Sequence, residues 1–318
     1  MSQEIMSGGQ QINAPDNLES LLKRAHEQAL KLKEGVVANY IPALAEVDPN
    51  QCALTVATLD GQIISQGDSQ TQFSIQSIAK IFGLMLAMER VGDDLWQRVQ
   101  MEPSGQPFNS IVQLEWEKGI PRNPMINAGA ILVSDVLVSH YSASKSAVLS
   151  MVRNLCGNDY VQADNRVHQS ELEHGSRNAA LAYLMKSFGN IEADVTEVLD
   201  HYFWQCSLTM STEGLARSLA FLANRGTCPF SGKRITSHRE AQRINALMST
   251  SGMYDQSGHF AFTVGLPAKS GVGGGIVAIV PDYGVIASWS PPLNSYGNSV
   301  RGMEMIRKVA TELGLSVY

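Results

Sequence analysis

The chain has 318 residues, 44% hydrophobic and 17% charged, which is the balance of a folded protein with a sizeable core rather than a disordered one. Its net charge of −6 is spread without a basic run, which argues against nucleic acid and anionic membrane as partners. No apolar run is long enough to cross a bilayer, and Cys52, Cys156, Cys206 and Cys228 form no Cys-x-x-Cys pair, so neither a zinc site nor a disulfide framework is signalled. Free, mostly buried thiols are expected. Met1 to Pro15 is polar and lacks the basic start and apolar core of a signal peptide, so a loose N-terminus and a cytoplasmic location are expected.

Asp16-Asn17-Leu18-Glu19 reads as a capping box, followed by apolar residues at helical spacing to about Lys33. Gly35 ends that helix, and Tyr40-Ile41-Pro42 begins an extended connection. Ala53–Thr58 and Gln62–Ser65 flank Asp60-Gly61, a strong hairpin signal. Phe73–Glu89 starts polar and then turns apolar for several turns, predicting a helix buried on most faces. Further helices are predicted at Asp93–Arg98, Asn127–His140, Lys145–Leu155, Asn178–Ser187, Val195–Cys206, Thr212–Asn224 and Ser237–Ser249. Past Tyr254 the pattern reverts to short strands at Phe260–Val264, Gly275–Val280 and Val285–Ser290, closed by a helix from about Asn298 to Leu313. The expected fold is α/β (α+β), an antiparallel sheet flanked by helices. Its sheet lobe comprises about 16–75 and 254–318, and a helical lobe of about 76–253 is inserted into it.

Chemistry is concentrated at the first turn of the buried helix. Ser77 and Lys80 lie three residues apart and share a face. A lysine opening an apolar helix is costly to bury unless it is paired or neutral, and a neutral lysine is a general base for a serine within reach. Ser-x-x-Lys is only two fixed letters, however, and Ser142-Ala143-Ser144-Lys145 matches it too; there Ser142 or Ser144 reads as a helix cap. The run Lys269-Ser270-Gly271-Val272-Gly273-Gly274-Gly275 is either a tight glycine turn or a strand edge that approaches a ligand. It fits neither a Walker A loop nor the dinucleotide fingerprint, which argues against nucleotide binding. His168-x-x-Glu171-x-x-His174 has a wandering spacing and no supporting ligand cluster, so no metal is assigned to it.

Ser-x-x-Lys followed later by Lys-Ser-Gly resembles the serine β-lactamase and penicillin-binding-protein superfamily, although the usual Lys-Thr-Gly is changed and no Ser-Asp-Asn occurs. Longer words narrow the resemblance: Gln76-Ser77-Ile78-Ala79-Lys80, Asn123-Pro124-Met125-Ile126-Asn127-Ala128-Gly129-Ala130, Gly252-Met253-Tyr254-Asp255, Gly265-Leu266-Pro267-Ala268-Lys269-Ser270-Gly271 and Trp289-Ser290-Pro291-Pro292-Leu293. With Gly35–Pro42, they are similar to the serine-dependent glutaminases from about residue 20 onward. The resemblance implies a β-lactamase-like fold, hydrolysis of L-glutamine to L-glutamate and ammonia without metal or organic cofactor, and a homo-oligomer (tetramer or dimer). It implies Ser77 as nucleophile, Lys80 as base and Tyr254 as proton relay, with the backbone N–H groups of Val272 and Ser77 as oxyanion donors. Asn127, Glu171, Asn178 and Tyr202 match substrate-holding positions, and Tyr40 lines the same pocket.

These residue types suit the substrate. Glutamine carries an ammonium, which an acid such as Glu171 can hold, and a carboxylate and amide, which asparagines and tyrosine hydroxyls can hold. A related amidase or a β-lactam or peptide acyl transferase of the same fold is the alternative, and a binding module without activity is a third reading.

Overall fold

The computed structural model describes residues 18–105, 110–158 and 160–318. The Asp60-Gly61 turn does what its composition requires: Gly61 takes φ +92°, and strands β1 (Ala53–Thr58) and β2 (Ile63–Gly67) fold back antiparallel with Ala57 opposite Ile63. Two very short strands follow the chain into the helical region, β3 (Phe73–Ser74) and β4 (Gln162–Ala163), and both pair with β5 (Leu208–Met210). The late strands are β6 (Ala268–Ser270), β7 (Gly275–Val280) and β8 (Gly284–Trp289). They join the hairpin in one antiparallel sheet of order β2-β1-β8-β7-β6, the flanked antiparallel sheet that was expected.

Every residue of β7 and β8 is buried, so apart from Ser288 these strands carry no polar side chain and do not alternate. On one face Leu54, Val56, Ile276, Ala278 and Ile286 pack with Leu21, Leu22 and Ala25 of the Leu18–Ala29 helix and Met305, Ile306 and Val309 of the Val300–Leu313 helix. On the other, Ala57, Val277, Ile279, Val285 and Ala287 pack with Leu215, Ala216 and Leu219 of the Thr212–Ala223 helix. The same core continues through the Lys80–Val91, Asn127–His140 and Val195–Cys206 helices, so the helical stretch shares its core with the sheet.

Several local expectations are corrected. Phe260–Val264 is not a strand: Ser257–Thr263 is a helix, in which Ser257 and Phe260, with the capping residue Val264, are buried at spacings of three and four while Phe262 is 91% exposed. The strand expected there is the later and shorter β6. The Phe73–Glu89 segment opens with β3 and a 3₁₀ turn, Gln76–Ala79, before the α-helix begins at Lys80. Pro42 starts one helical turn, Pro42–Ala45, where an extended connection was expected. Neither Ser142 nor Ser144 caps the following helix, Ser144–Cys156, whose N-cap is Ala143 with no side-chain bond. The first helix ends at Ala29 rather than Lys33. The Asp16-Asn17 part of the capping box and the segment 1–15 lie outside the described residues. All four cysteines are free and buried, as expected. Among the described residues, no helix is long and apolar enough to cross a membrane.

Candidate active site

Ser77 sits on the 3₁₀ turn, where side chains three apart eclipse, so Ser77 and Lys80 stand in line along one edge. The turn is entered through Gln76 at φ +49°, a left-handed conformation that costs a non-glycine residue strain. The glycine run packs directly on this entry. A Cβ on Gly271 would lie 2.4 Å from the Ile75 carbonyl oxygen, and one on Gly273 would lie 2.2 Å from that of Ser74. Trp289 holds the run in place: its Nε1–H donates to the Gly273 carbonyl at 2.9 Å, and its ring stacks on Phe73. The run is thus the tight turn that joins β6 to β7, with the Gly274 N–H donating to the Gly271 carbonyl, and it packs closely on the Ser74 and Ile75 backbone. Gly273→Ala should push the Val272 segment off Ser74 and destabilise the fold by about 1–3 kcal/mol, the usual cost of overpacking, read as a lowered thermal midpoint.

A cavity of about 380 Å³ opens beside the turn. Ser77, Asn127, Glu171, Asn178, Tyr202, Tyr254, Val272 and Tyr40 all line it, so the structure brings these sequence-derived candidates together. Lys80 lies just behind the wall and is 1% exposed. Its Nζ donates to Asn127 Oδ1 at 2.7 Å and to the Met125 carbonyl at 3.3 Å. Buried Asn123 shapes that carbonyl's loop by accepting from the Met125 and Ile126 N–H groups. Burial lowers the Lys80 pKa to about 8, against the opposing pull of Cys206 and Glu171.

Asn127 passes the contact onward, its Nδ2 donating to Asn178 Oδ1 at 3.0 Å. Glu171, on the Asn165–His174 helix, accepts from the Tyr40 hydroxyl at 2.7 Å. Burial raises its pKa, while hydrogen bonds from Tyr40 and Gln76 and the charge of Lys80 hold it back. Burial also pushes the Tyr254 hydroxyl upward, opposed by the Ser77 hydroxyl and the Val272 N–H that lie against its oxygen. Tyr254 itself is strained, at φ +51°, and the Lys269 Nζ sits 4.7 Å from the centre of its ring. Lys269 is fully enclosed and donates to the Gly252 and Ser270 carbonyls; burial and the nearby Lys80 drive its pKa well below the ordinary lysine value.

Gln76, His174, Gly175, Arg177 and Cys206 also line the cavity and were not picked out as site residues. Gln76 lay inside the quoted Ser77 word, and Cys206 falls four residues after Tyr202 on one helix, so their placement was accessible from spacing. Burial raises the Cys206 thiol to about 12, which keeps it neutral near pH 7. The His-x-x-Glu-x-x-His residues diverge: His168 pairs with Asp200 at 3.0 Å, Glu171 faces Tyr40, and His174 sits on the Ser170 carbonyl. No group of three or more metal-ligating side chains gathers among the described residues.

A hydroxyl on a strained turn and a buried acid in one small cavity, with an amine of lowered pKa behind its wall, suit nucleophilic attack on a small substrate that carries an ammonium. A family model described as Glutaminase matches residues 35–318. The glutaminase of Pseudomonas savastanoi pv. phaseolicola is 52% identical over 287 residues, 90% of this chain and 95% of that protein. The solved structure of probable glutaminase YbaS is 38% identical with a TM-score of 0.90, covering 95% of this chain and 98% of that one. Mglu in its glutamate form is 32% identical with a TM-score of 0.89, covering 94% of this chain and 69% of that one. The fold is accordingly the β-lactamase-like one, and with a match running from residue 35 to the last residue the chain belongs to the glutaminase family of enzymes.

Proposed function

We propose that this enzyme hydrolyses L-glutamine to L-glutamate and ammonia through an acyl-enzyme on Ser77. The carrying observation is Lys80: a fully buried amine with a pKa of about 8, in line with Ser77 on one turn, behind a cavity that contains the buried acid Glu171. In the first half-reaction the Ser77 oxygen bonds to the side-chain carbonyl carbon of glutamine, and its proton passes to the neutral Lys80 amine. The backbone N–H groups of Ser77 and Val272 stabilise the oxyanion. When the carbon–nitrogen bond breaks, the proton held by Lys80 reaches the leaving nitrogen by way of Tyr254, and ammonia departs. A water then adds to the ester carbonyl with the same proton path, and glutamate leaves Ser77 free. Apart from the substrate and that water, every group in this scheme belongs to the chain.

Glu171 receives the substrate ammonium, while Asn127, Asn178, Tyr202 and Tyr40 hold its carboxylate and orient the amide. Glu171→Gln should raise KM for L-glutamine by about 10–100-fold, the worth of one charged hydrogen bond, with a smaller effect on kcat. An unchanged KM would point to a substrate without a free ammonium. The reaction itself is tested by ammonia release from L-glutamine, L-asparagine and D-glutamine with wild type and Ser77→Ala. Turnover of L-glutamine alone, lost in the variant, supports the scheme; release from all three amides, or none, rejects it. The reading also includes a single catalytic domain with a sheet lobe and a helical lobe, a homo-oligomeric assembly and a cytoplasmic location. The assembly rests on the family resemblance, and sedimentation velocity and cell fractionation test the last two.

A further inference from the structure

Gln205 lies at the end of the Val195–Cys206 helix, 3% exposed, and does not line the cavity. Its Nε2 donates to the Ala79 carbonyl at 2.8 Å, between Ser77 and Lys80 on the chain. Its Oε1 is buried without a hydrogen-bond partner among the described residues. Burying an amide with one end unpaired costs stability that a leucine of similar size would not incur. What the glutamine contributes is therefore the donor that grips Ala79. The neighbouring residues grip the other side of the same turn: Ser74 Oγ donates to the Cys206 carbonyl at 3.0 Å, and the Ile75 N–H donates to the Leu208 carbonyl at 2.9 Å. Between these two anchor points lies Gln76, whose φ of +49° persists only if both flanks are held.

Gly83 is shaped to this contact. A Cβ there would lie 2.8 and 2.9 Å from the Gln205 amide nitrogen and oxygen, inside a helix where alanine is otherwise preferred over glycine. The far end of a glutamine side chain is free to swing aside, so the space at Gly83 keeps the amide on Ala79.

We infer that Gln205 is a positioning residue for the reaction, clamping the 3₁₀ turn so that Ser77 and Lys80 stay in register. The inference rests on the assignment of Ser77 and Lys80 as nucleophile and base. It acts through the turn and leaves the substrate pocket untouched, so it predicts a loss in kcat with little change in KM.

The test compares steady-state kinetics and thermal midpoints of wild type, Ser77→Ala, Gln205→Leu, Gln205→Ala, Gly83→Ala and the Gly83→Ala/Gln205→Ala double variant. Gly83→Ala is the decisive protein, because it displaces the amide while improving helix propensity. We expect its kcat to fall by about 10²-fold, the scale of a misplacement near 1 Å, with KM nearly constant and the thermal midpoint unchanged or higher. Gln205→Leu should show the same kcat loss, and the double variant should be no slower than Gln205→Ala. If Gln205→Leu fails to fold, Gly83→Ala alone carries the test. Wild-type kcat in Gly83→Ala, alongside an inactive Ser77→Ala, overturns the role of Gln205 and leaves the acyl-enzyme scheme standing. An active Ser77→Ala overturns both.

Discussion

Ser77→Ala is expected to lower kcat for L-glutamine by about 10⁶-fold, the scale seen when a catalytic serine is removed from a cooperating set, with the fold intact. The residual rate would come from binding and the two backbone N–H donors alone. Folding should survive because the turn is held by the Ser74, Ile75 and Ala79 contacts, none of which uses the Ser77 hydroxyl. Among the described residues that line the cavity, Cys206 is the only thiol. Its thiol is raised to about 12 by burial, so it presents little thiolate at an assay pH near 7. Ammonia release measures the loss, and mass spectrometry of a quenched wild-type reaction should find the glutamyl ester on Ser77 and none in the variant. A variant that retains its rate would transfer the nucleophile's role elsewhere.

Lys80→Met should cost about 10⁴-fold, the upper range for a general base, and should also change the shape of the pH profile. With a pKa of about 8, roughly 1% of Lys80 is neutral at pH 6, so wild-type kcat/KM should climb about tenfold per pH unit toward pH 8 and level off above it. In Lys80→Met that limb disappears. Lys269 is not placed to supply it: it does not line the cavity, and its amine is engaged by the Gly252 and Ser270 carbonyls. Methionine fits the apolar helix, and the variant is spared the burial of a charge, so the loss of the Asn127 contact should not unfold it. A profile unchanged by the substitution would refute Lys80 as the base.

The same titration sets a stability slope. The amine has a lowered pKa in the folded chain, about 8 against the ordinary 10.5. Between these values the unfolded chain binds the proton and the folded chain does not, so stability should rise with pH across this window. Below about pH 8 both states are protonated, and the contribution is a constant cost.

The elements most legible in the sequence were those set by neighbouring residues. Asp60-Gly61 demanded a hairpin because glycine alone enters that backbone region cheaply, and short β-branched or apolar runs between turn residues marked β7 and β8 as strands. Spacing of three put Ser77 and Lys80 on one edge, the long family words contain Tyr40, Asn127 and Tyr254, and Glu171, Asn178, Tyr202 and Val272 came only with the wider family resemblance. Local reading failed where a pattern was too short to carry a period. Ser257–Thr263 has seven residues, and its two phenylalanines imitated a strand until the burial of Phe260 and exposure of Phe262 separated them. The two- and three-residue strands β3, β4 and β5 carry no signal of their own.

The remainder belongs to tertiary packing, since side-chain periodicity tells which face is buried but not what it is buried against. The Tyr40–Glu171 hydrogen bond joins residues 131 positions apart, and no local rule selects that pair. The closeness of Val272 to Ser77 depends on glycines packed within about 2.5 Å, from a would-be Cβ, of the Ser74 and Ile75 carbonyls. The lowered pKa of Lys80 exists because the folded chain excludes water from its amine, and the grip of Gln205 on Ala79 exists because the Val195–Cys206 helix meets the Gln76–Ala79 turn 126 positions earlier in the chain. Residue types and spacing set out the available chemistry; desolvation and long-range contact, which arise only in the packed fold, give those residues their charge states and distances.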